Sequence, residues 1–194
     1  MKKKNKILFL VNNLSFFVSH RLKIAKSSID KGYNVIIGYG ELGDVDISIL
    51  EQSGLKTTHI PMHRGGVNFF KEIKTLIYIW KFIKKEKPDI VHLVTIKPYL
   101  YGGIISRLVG VPALVSAISG LGTIFISNDI KFQLLRLLLY PVYKLAFNHL
   151  NQKIIVQNND DLKTLAKWGV FNVCKVKLIK GSGVNISDFK ILEE

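Results

Sequence analysis

The sequence predicts a single doubly wound α/β domain on a mostly parallel sheet, and three observations predict it. Short β-rich runs alternate with longer helical ones from residue 6 to residue 179, the order that builds βαβ units. The first run, Lys6-Ile-Leu-Phe-Leu-Val-Asn12, is continuously apolar between its ends, as a strand covered on both faces should be. Helical stretches stop at Gly32, Gly54 and Gly110 or at Pro88, residues that end helices through a left-handed cap or a missing N–H.

Taken in order, residues 6–12 read as the first strand, and Asn13, Leu14 and Ser15 lead into a helix over 16–31. Residues 34–40 are the second strand, 47–53 a short helix and 56–62 the third strand. The longest helix covers 68–87, with Phe69, Phe70, Ile73, Leu76, Ile77, Trp80 and Ile83 recurring at helical spacing. A strand at 89–95 follows, then a helix at 98–109 and a strand at 113–118. A longer connection opens with Ser119-Gly-Leu-Gly122 and reaches a helix at 130–150. Residues 153–157, 160–168 and 175–179 complete the pattern as strand, helix and strand.

Composition narrows the function classes. The 194 residues, 48% of them hydrophobic, suffice for one domain with a real core, not for two full ones. A single cysteine, Cys174, excludes an internal disulfide and a cysteine-based zinc site; it fits a reduced cytosolic compartment and reads as a small half-buried residue near a strand start. Lys+Arg of 28 against Asp+Glu of 14 gives a formal charge of +14, which favours phosphates, nucleic acid or acidic lipid headgroups. The basic residues form no recognisable nucleic-acid module, so nucleic acid ranks last of these. The apolar run 7–11 behind the basic N-terminus is too short for a secretion signal, and no stretch reaches the ~20 apolar residues of a membrane span.

In such a sheet, ligands bind beyond the carboxyl ends of the strands. The segments to inspect are therefore residues 13–21, Gly40 with Glu41, 63–66, Lys97, 119–122, 158–161 and 181–185. A nicotinamide dinucleotide site needs a glycine-rich turn after the first strand. Here that turn is Asn12-Asn-Leu-Ser-Phe-Phe-Val-Ser-His20, without a glycine, and Glu41 does not rescue it. There is no Walker A loop, Ser/His/Asp set or metal-ligand spacing. Of the histidines, His59 and His149 read as structural. His20, beside Arg21, either orients or deprotonates a hydroxyl at the binding edge or is a satisfied core residue.

Several motifs in order carry a family resemblance. Phe16-Phe-Val-Ser-His-Arg-Leu22, Pro88-Asp-Ile-Val-His92, Thr95-Ile-Lys-Pro98, Ser119-Gly-Leu-Gly122, Val156-Gln-Asn158 with Asp161, and Gly181-Ser-Gly-Val-Asn185 with Phe189 resemble the N-terminal half of a GT-B glycosyltransferase. More narrowly, the sequence is similar to the family 4 retaining enzymes that extend lipid-linked sugars in bacterial polysaccharide and glycoprotein pathways. The resemblance implies a Rossmann-like acceptor-side domain over residues 1–184. Residues 185–194 would begin an interdomain linker, with the donor-binding domain absent from the 194 residues. It implies a sugar on undecaprenyl diphosphate as acceptor, a nucleotide-sugar, usually UDP-linked, as donor, and no metal or other cofactor. His20, Arg21 and Lys97 become acceptor-side candidates. Ser119, Gly120, Gly122, Asn158, Gly181, Ser182, Gly183 and Asn185 become cleft and donor-side candidates, Asn185 standing where many relatives carry aspartate. Asn158 and Asp161 also fit a plain helix N-terminus. No catalytic residue is assigned in this half, because the family's glutamate pair lies in the other. The expectation is that this chain alone has little or no hexosyltransferase activity. A non-catalytic half that docks on a membrane and recruits a separate donor-binding chain is the alternative.

Two basic-apolar stretches bear on the membrane. Residues 132–147 are apolar around more of the helix than one packed face requires, with Arg136 and Lys144 as the only charges and Pro141 as a kink. With the basic N-terminus and the lysines of 81–87, this helix either lies in an anionic membrane interface or is buried by the sheet or by a partner domain. The expected location is the inner face of the cytoplasmic membrane, peripherally bound.

Overall fold

The computed structural model describes residues 5–63, 68–127, 129–181 and 183. Its core is a seven-stranded sheet, every neighbouring pair parallel, in the order β3-β2-β1-β4-β5-β6-β7. The strands are β1 (Lys6–Asn13), β2 (Asn34–Glu41), β3 (Lys56–His59), β4 (Ile90–Val94), β5 (Ala113–Ile118), β6 (Gln152–Val156) and β7 (Val176–Leu178). The helices are α1 (Leu14–Asp30), α2 (Ile47–Gln52), α3 (Phe69–Glu86), α4 (Gly103–Val109), α5 (Thr123–Ile126), α6 (Ile130–Ala146) and α7 (Asn159–Trp168). A π-turn, Pro98–Gly102, runs directly into α4, so the expected helix at 98–109 is continuous but changes winding.

Register explains the core. β1 pairs with β2 through Leu8↔Ile36 and with β4 through Leu8↔Val91. Because side chains alternate along a strand, one face of the sheet gathers Leu8, Leu10, Val91 and Leu93 against α3, the π-turn, α4 and α6. The other face gathers Phe9, Val11, Val35 and Ile37 against α1 and α2. The order reverses between β1 and β4, and that reversal leaves a crevice at their carboxyl ends.

Some expected elements shift. The third strand ends at His59 rather than residue 62, because Pro61 has no N–H to extend a ladder; Ile60 and Met62 stay buried all the same. Cys174 is exposed, not half-buried, because Val173–Lys175 is a 3₁₀ turn ahead of β7. The larger correction concerns α3. Its buried residues are Thr75, Ile79, Phe82 and Ile83. Of the periodic apolar set, Phe69, Phe70, Ile73, Ile77 and Trp80 are exposed, at 71%, 81%, 39%, 45% and 39%. Thr75 occupies the inner face because its hydroxyl donates to the Pro61 and Lys71 carbonyls, which satisfies it out of water.

Candidate functional site at the carboxyl edge of the sheet

The β1–α1 junction has no loop at all. Asn13 is both the last residue of β1 and the N-cap of α1, its Oδ1 accepting from the Phe16 N–H at 3.0 Å. Strand therefore passes straight into helix, leaving no glycine cradle for a pyrophosphate. Gly43, at φ 63°, brings the segment after β2 over this junction, where a Cβ would collide with the Ser15 hydroxyl.

Along α1 the buried residues are Leu14, Phe17, Arg21 and Ala25, one helical stripe. Arg21 thus faces inward, 6% exposed, rather than outward to an acceptor as its neighbour His20 suggested. Its guanidinium donates to the His20 carbonyl at 3.0 Å, and its Nε has no partner among the described residues. Burial lowers its pKa from the usual arginine value. Beneath it, His92 stacks on Phe9 with ring centroids 4.9 Å apart. Burial and the charge of Arg21 depress His92 to about 3, so it stays neutral.

His20 is half-buried at the flank of the same helix. Its ring stacks on Phe16 at 4.2 Å, while Nδ1 lies 2.6 Å from the Ser19 hydroxyl and 3.2 Å from the Phe16 carbonyl. In the tautomer with Nδ1 protonated, that N–H donates to the Phe16 carbonyl and Nε2 keeps its lone pair. Such an imidazole is held in one orientation and can accept a proton.

Across the crevice, Val11↔Val94 pairing brings Asn12 beside Thr95. The buried Asn12 Oδ1 and Thr95 Oγ1 both lack a hydrogen-bond partner among the described residues. Thr95 also holds φ 74°, a left-handed conformation that costs a β-branched residue ~1–3 kcal/mol. Two buried polar atoms, one of them on a strained residue, thus lie just past the paired ends of β1 and β4, where the strand order reverses. Next along, Lys97 Nζ meets Glu72 Oε1 at 2.6 Å, and the Tyr101 hydroxyl donates to Glu72 Oε2 at 2.7 Å. Burial and the Glu72 carboxylate push the Tyr101 hydroxyl well above its ordinary pKa, so it keeps its proton. Lys97 is therefore paired, and the cluster ties the first turn of α3 to the π-turn.

The remaining candidates divide. Gly122, at φ 70°, sits where a Cβ would touch the Ile96 side chain at 3.6 Å, so the segment containing Ser119, Gly120 and Gly122 lies beside the β4 turn. Asn158 is exposed just beyond the carboxyl end of β6. It caps α7, with Oδ1 accepting from the Asp161 N–H at 2.7 Å and Nδ2 donating to Asp161 Oδ2 at 3.0 Å, which occupies both ends of its amide. Gly181 and Gly183 follow β7 with φ 53° and 61°, conformations that suit glycine. Ser182 and Asn185, like residues 64–67 and 184–194, lie outside the described residues. Among the described residues, no three His, Cys, Asp or Glu side chains are grouped to hold a metal ion. His149 is structural, its Nε2 2.8 Å from the Val111 carbonyl.

Sequence reasoning missed Asn12, Thr95 and Glu72. A polar residue closing an apolar strand, and one acid in the first turn of a lysine-rich helix, were the available signals.

The parallel doubly wound sheet is a Rossmann-like α/β fold of the kind found in one half of GT-B proteins. Sucrose-phosphate synthase of Thermosynechococcus elongatus superposes with a TM-score of 0.65 at 14% identity, over 97% of this chain and 51% of that one. Residues 6–158 match the family described as Glycosyl transferase 4-like, and the chain belongs to that family. It is 26% identical, over 72% of its length, to N,N'-diacetylbacillosaminyl-diphospho-undecaprenol alpha-1,3-N-acetylgalactosaminyltransferase of Campylobacter jejuni. It is 28% identical, over 67% of its length, to UDP-Gal:alpha-D-GlcNAc-diphosphoundecaprenol alpha-1,3-galactosyltransferase of Escherichia coli. The matched regions make up 37% and 32% of those two proteins, so the chain spans about a third of the length of the curated relatives it matches.

Proposed function

We propose that this chain is the acceptor side of a retaining glycosyltransferase that moves a sugar from a nucleotide-sugar, UDP-linked, onto a sugar carried on a polyprenyl diphosphate. The observation that carries this reading is the shared chemistry of the two relatives. Both are named for adding a sugar by an alpha-1,3 linkage to a sugar on diphospho-undecaprenol, and one is named for a UDP-linked donor. The acceptor's lipid anchor makes the inner face of the cytoplasmic membrane the place of work.

In this reading the crevice between β1 and β4 takes the acceptor sugar. Asn12 Oδ1 accepts from one sugar hydroxyl, and Thr95 Oγ1 exchanges a hydrogen bond with another; each is a buried atom with no hydrogen-bond partner among the described residues. His20 Nε2 faces the reacting hydroxyl and orients it or takes its proton as the new bond forms. Arg21 acts as a positioning residue, its guanidinium holding the His20 carbonyl. Lys97, fixed by Glu72, adds positive charge near the acceptor diphosphate. Ser119, Gly120 and Gly122 line the cleft, and Gly181, Ser182, Gly183 and Asn185 lead toward the donor side. The donor-gripping groups come from a further domain or a separate chain.

The test is binding and turnover with short-chain polyprenyl-diphosphate sugars. The 194-residue chain is expected to bind these acceptors, and His20→Ala to leave binding within ~threefold. With UDP-sugars added, the chain alone gives no product. Turnover by the chain alone would overturn the division of labour, and absence of acceptor binding would overturn the acceptor reading.

A further inference from the structure

The outer face of α3 has an unusual combination of properties. Phe69, Ile73, Ile77 and Trp80 recur along it at i, i+4, i+8 and i+11, and all four are exposed. A surface helix ordinarily turns its apolar stripe inward. This one packs a different stripe inward and leaves a second apolar one in solvent. Beside that stripe, Lys74, Lys81 and Lys85 recur at i, i+7 and i+11. Lys84 stands 4.7 Å over the Trp80 ring, and Lys74 5.9 Å over that of Tyr78.

Charge decides what fits there. The two acids of α3, Glu72 and Glu86, are each paired with a lysine from another element, Lys97 and Lys6, at 2.6 and 3.0 Å. All five lysines of the helix are left opposed by no acid on the helix itself that is not already so paired. An apolar ridge edged by cations and aromatic rings under lysine stems suits a surface with an anionic skin over a hydrocarbon interior. It does not suit another protein's apolar core, which would have to desolvate those ammonium groups.

Position agrees. Every strand is parallel, so α3, which returns from β3 to β4, starts at the carboxyl edge. Phe69 and Phe70 therefore stand at the carboxyl end of the sheet, and the far end, at Glu86, lies beside Lys6 at the start of β1. No helix among the described residues is long and apolar enough to cross a membrane, so contact through this face would be peripheral.

We propose that the outer face of α3 docks on an anionic lipid bilayer, with Phe69, Phe70, Ile73, Ile77 and Trp80 in the headgroup–acyl boundary and the lysines on the headgroups. This deepens the proposed function by naming the surface that would set the crevice against the lipid, and it needs neither donor nor acceptor to be tested.

The experiment is co-flotation with vesicles of phosphatidylglycerol and phosphatidylcholine, compared with phosphatidylcholine alone. The protein should float with the anionic vesicles, and Phe70→Ser with Ile77→Ser should weaken this by about tenfold, since each loses apolar area to water. Leu137→Ser with Leu138→Ser, on the exposed side of α6, is the comparison and should weaken flotation less. In parallel, Trp168→Phe leaves Trp80 as the sole tryptophan, whose fluorescence brominated lipid should quench. No flotation, or flotation without Trp80 quenching and insensitive to the α3 pair, overturns the proposal. So does loss of flotation through the α6 pair alone. A chain that floats but binds no polyprenyl-diphosphate sugar would sink the proposed function and leave the docking face standing.

Discussion

Helices α1 and α3 make an instructive pair. They are 17 and 18 residues long, run antiparallel to the same strands and cover opposite faces of one sheet. Yet α1 buries Arg21 and leaves lysines and serines outside, whereas α3 buries Thr75 and leaves a phenylalanine–tryptophan ridge outside. Apolar character and burial have separated in both. In α1 the misplaced residue is one cation behind the carboxyl edge of the sheet, where its guanidinium holds the His20 carbonyl. In α3 it is a whole face, which points to a partner.

The comparison breaks first at the inner and outer isoleucines of α3. Ile79→Asp places a carboxylate in a fully buried site and is expected to cost on the order of 4 kcal/mol or to prevent folding. Ile77→Asp, two residues away and 45% exposed, should shift stability by less than about 1 kcal/mol. Urea titration of both measures the gap, and equal losses would mean that the outer face is packed in solution.

Acid sharpens the contrast from the α1 side. His92 titrates at about 3 in the fold against 6.5 unfolded, so below pH 6.5 the unfolded chain binds a proton that the fold refuses. Its contribution to stability is therefore present above pH 6.5 and declines as pH falls towards 3. Between pH 6.5 and 5 the loss is about 1.5 kcal/mol. His92→Phe, which keeps the stack on Phe9, should flatten that slope in denaturant midpoints measured across the range; an unchanged slope would count against a buried neutral imidazole.

The N-caps give the next effect. Asn13→Ala removes the acceptor for the Phe16 N–H and should cost ~1 kcal/mol in thermal melts. It should also slacken the backbone under His20 while leaving acceptor binding within ~threefold, as expected for His20→Ala. Asn68→Ala at the start of α3 removes a longer 3.2 Å bond and should cost about half as much, with no effect on acceptor binding. The smallest expected change is Arg21→Met, close to neutral in thermal melts. It exchanges a buried cation with no acidic partner among the described residues for an apolar chain of similar length.

Much of the sheet was legible because parallel strands buried on both faces announce themselves as apolar runs, and all seven fell within a few residues of expectation. The family membership was legible through short motifs around the loops. What escaped depended on contacts distant in sequence. Nothing local says that Thr75 would be satisfied by Pro61 and so sit inside, which rotates the whole of α3. Nothing local says that Thr95 would take a left-handed conformation, since that is imposed by the turn between β4 and the π-turn. The burial of Arg21 beside a half-buried His20 was not legible either, since adjacent helical residues lie about 100° apart and need not share an exposure. Asn158 fits two readings in the sequence because a good N-cap and a good sugar contact ask for the same side chain, and the structure shows the cap.

The strand order also bears on how the chain acquires its fold during synthesis. β1 is central and needs both β2 and β4, but β4 is made more than seventy residues after β1 ends. At ribosomal rates of about 5–20 residues per second, the β4 side of β1 waits unpaired for several seconds. That edge is Ile7-Leu-Phe-Leu-Val11, an apolar strand with open backbone groups. The first three strands and three helices therefore emerge as a nascent half-sheet whose apolar edge stays open until Ile90 appears.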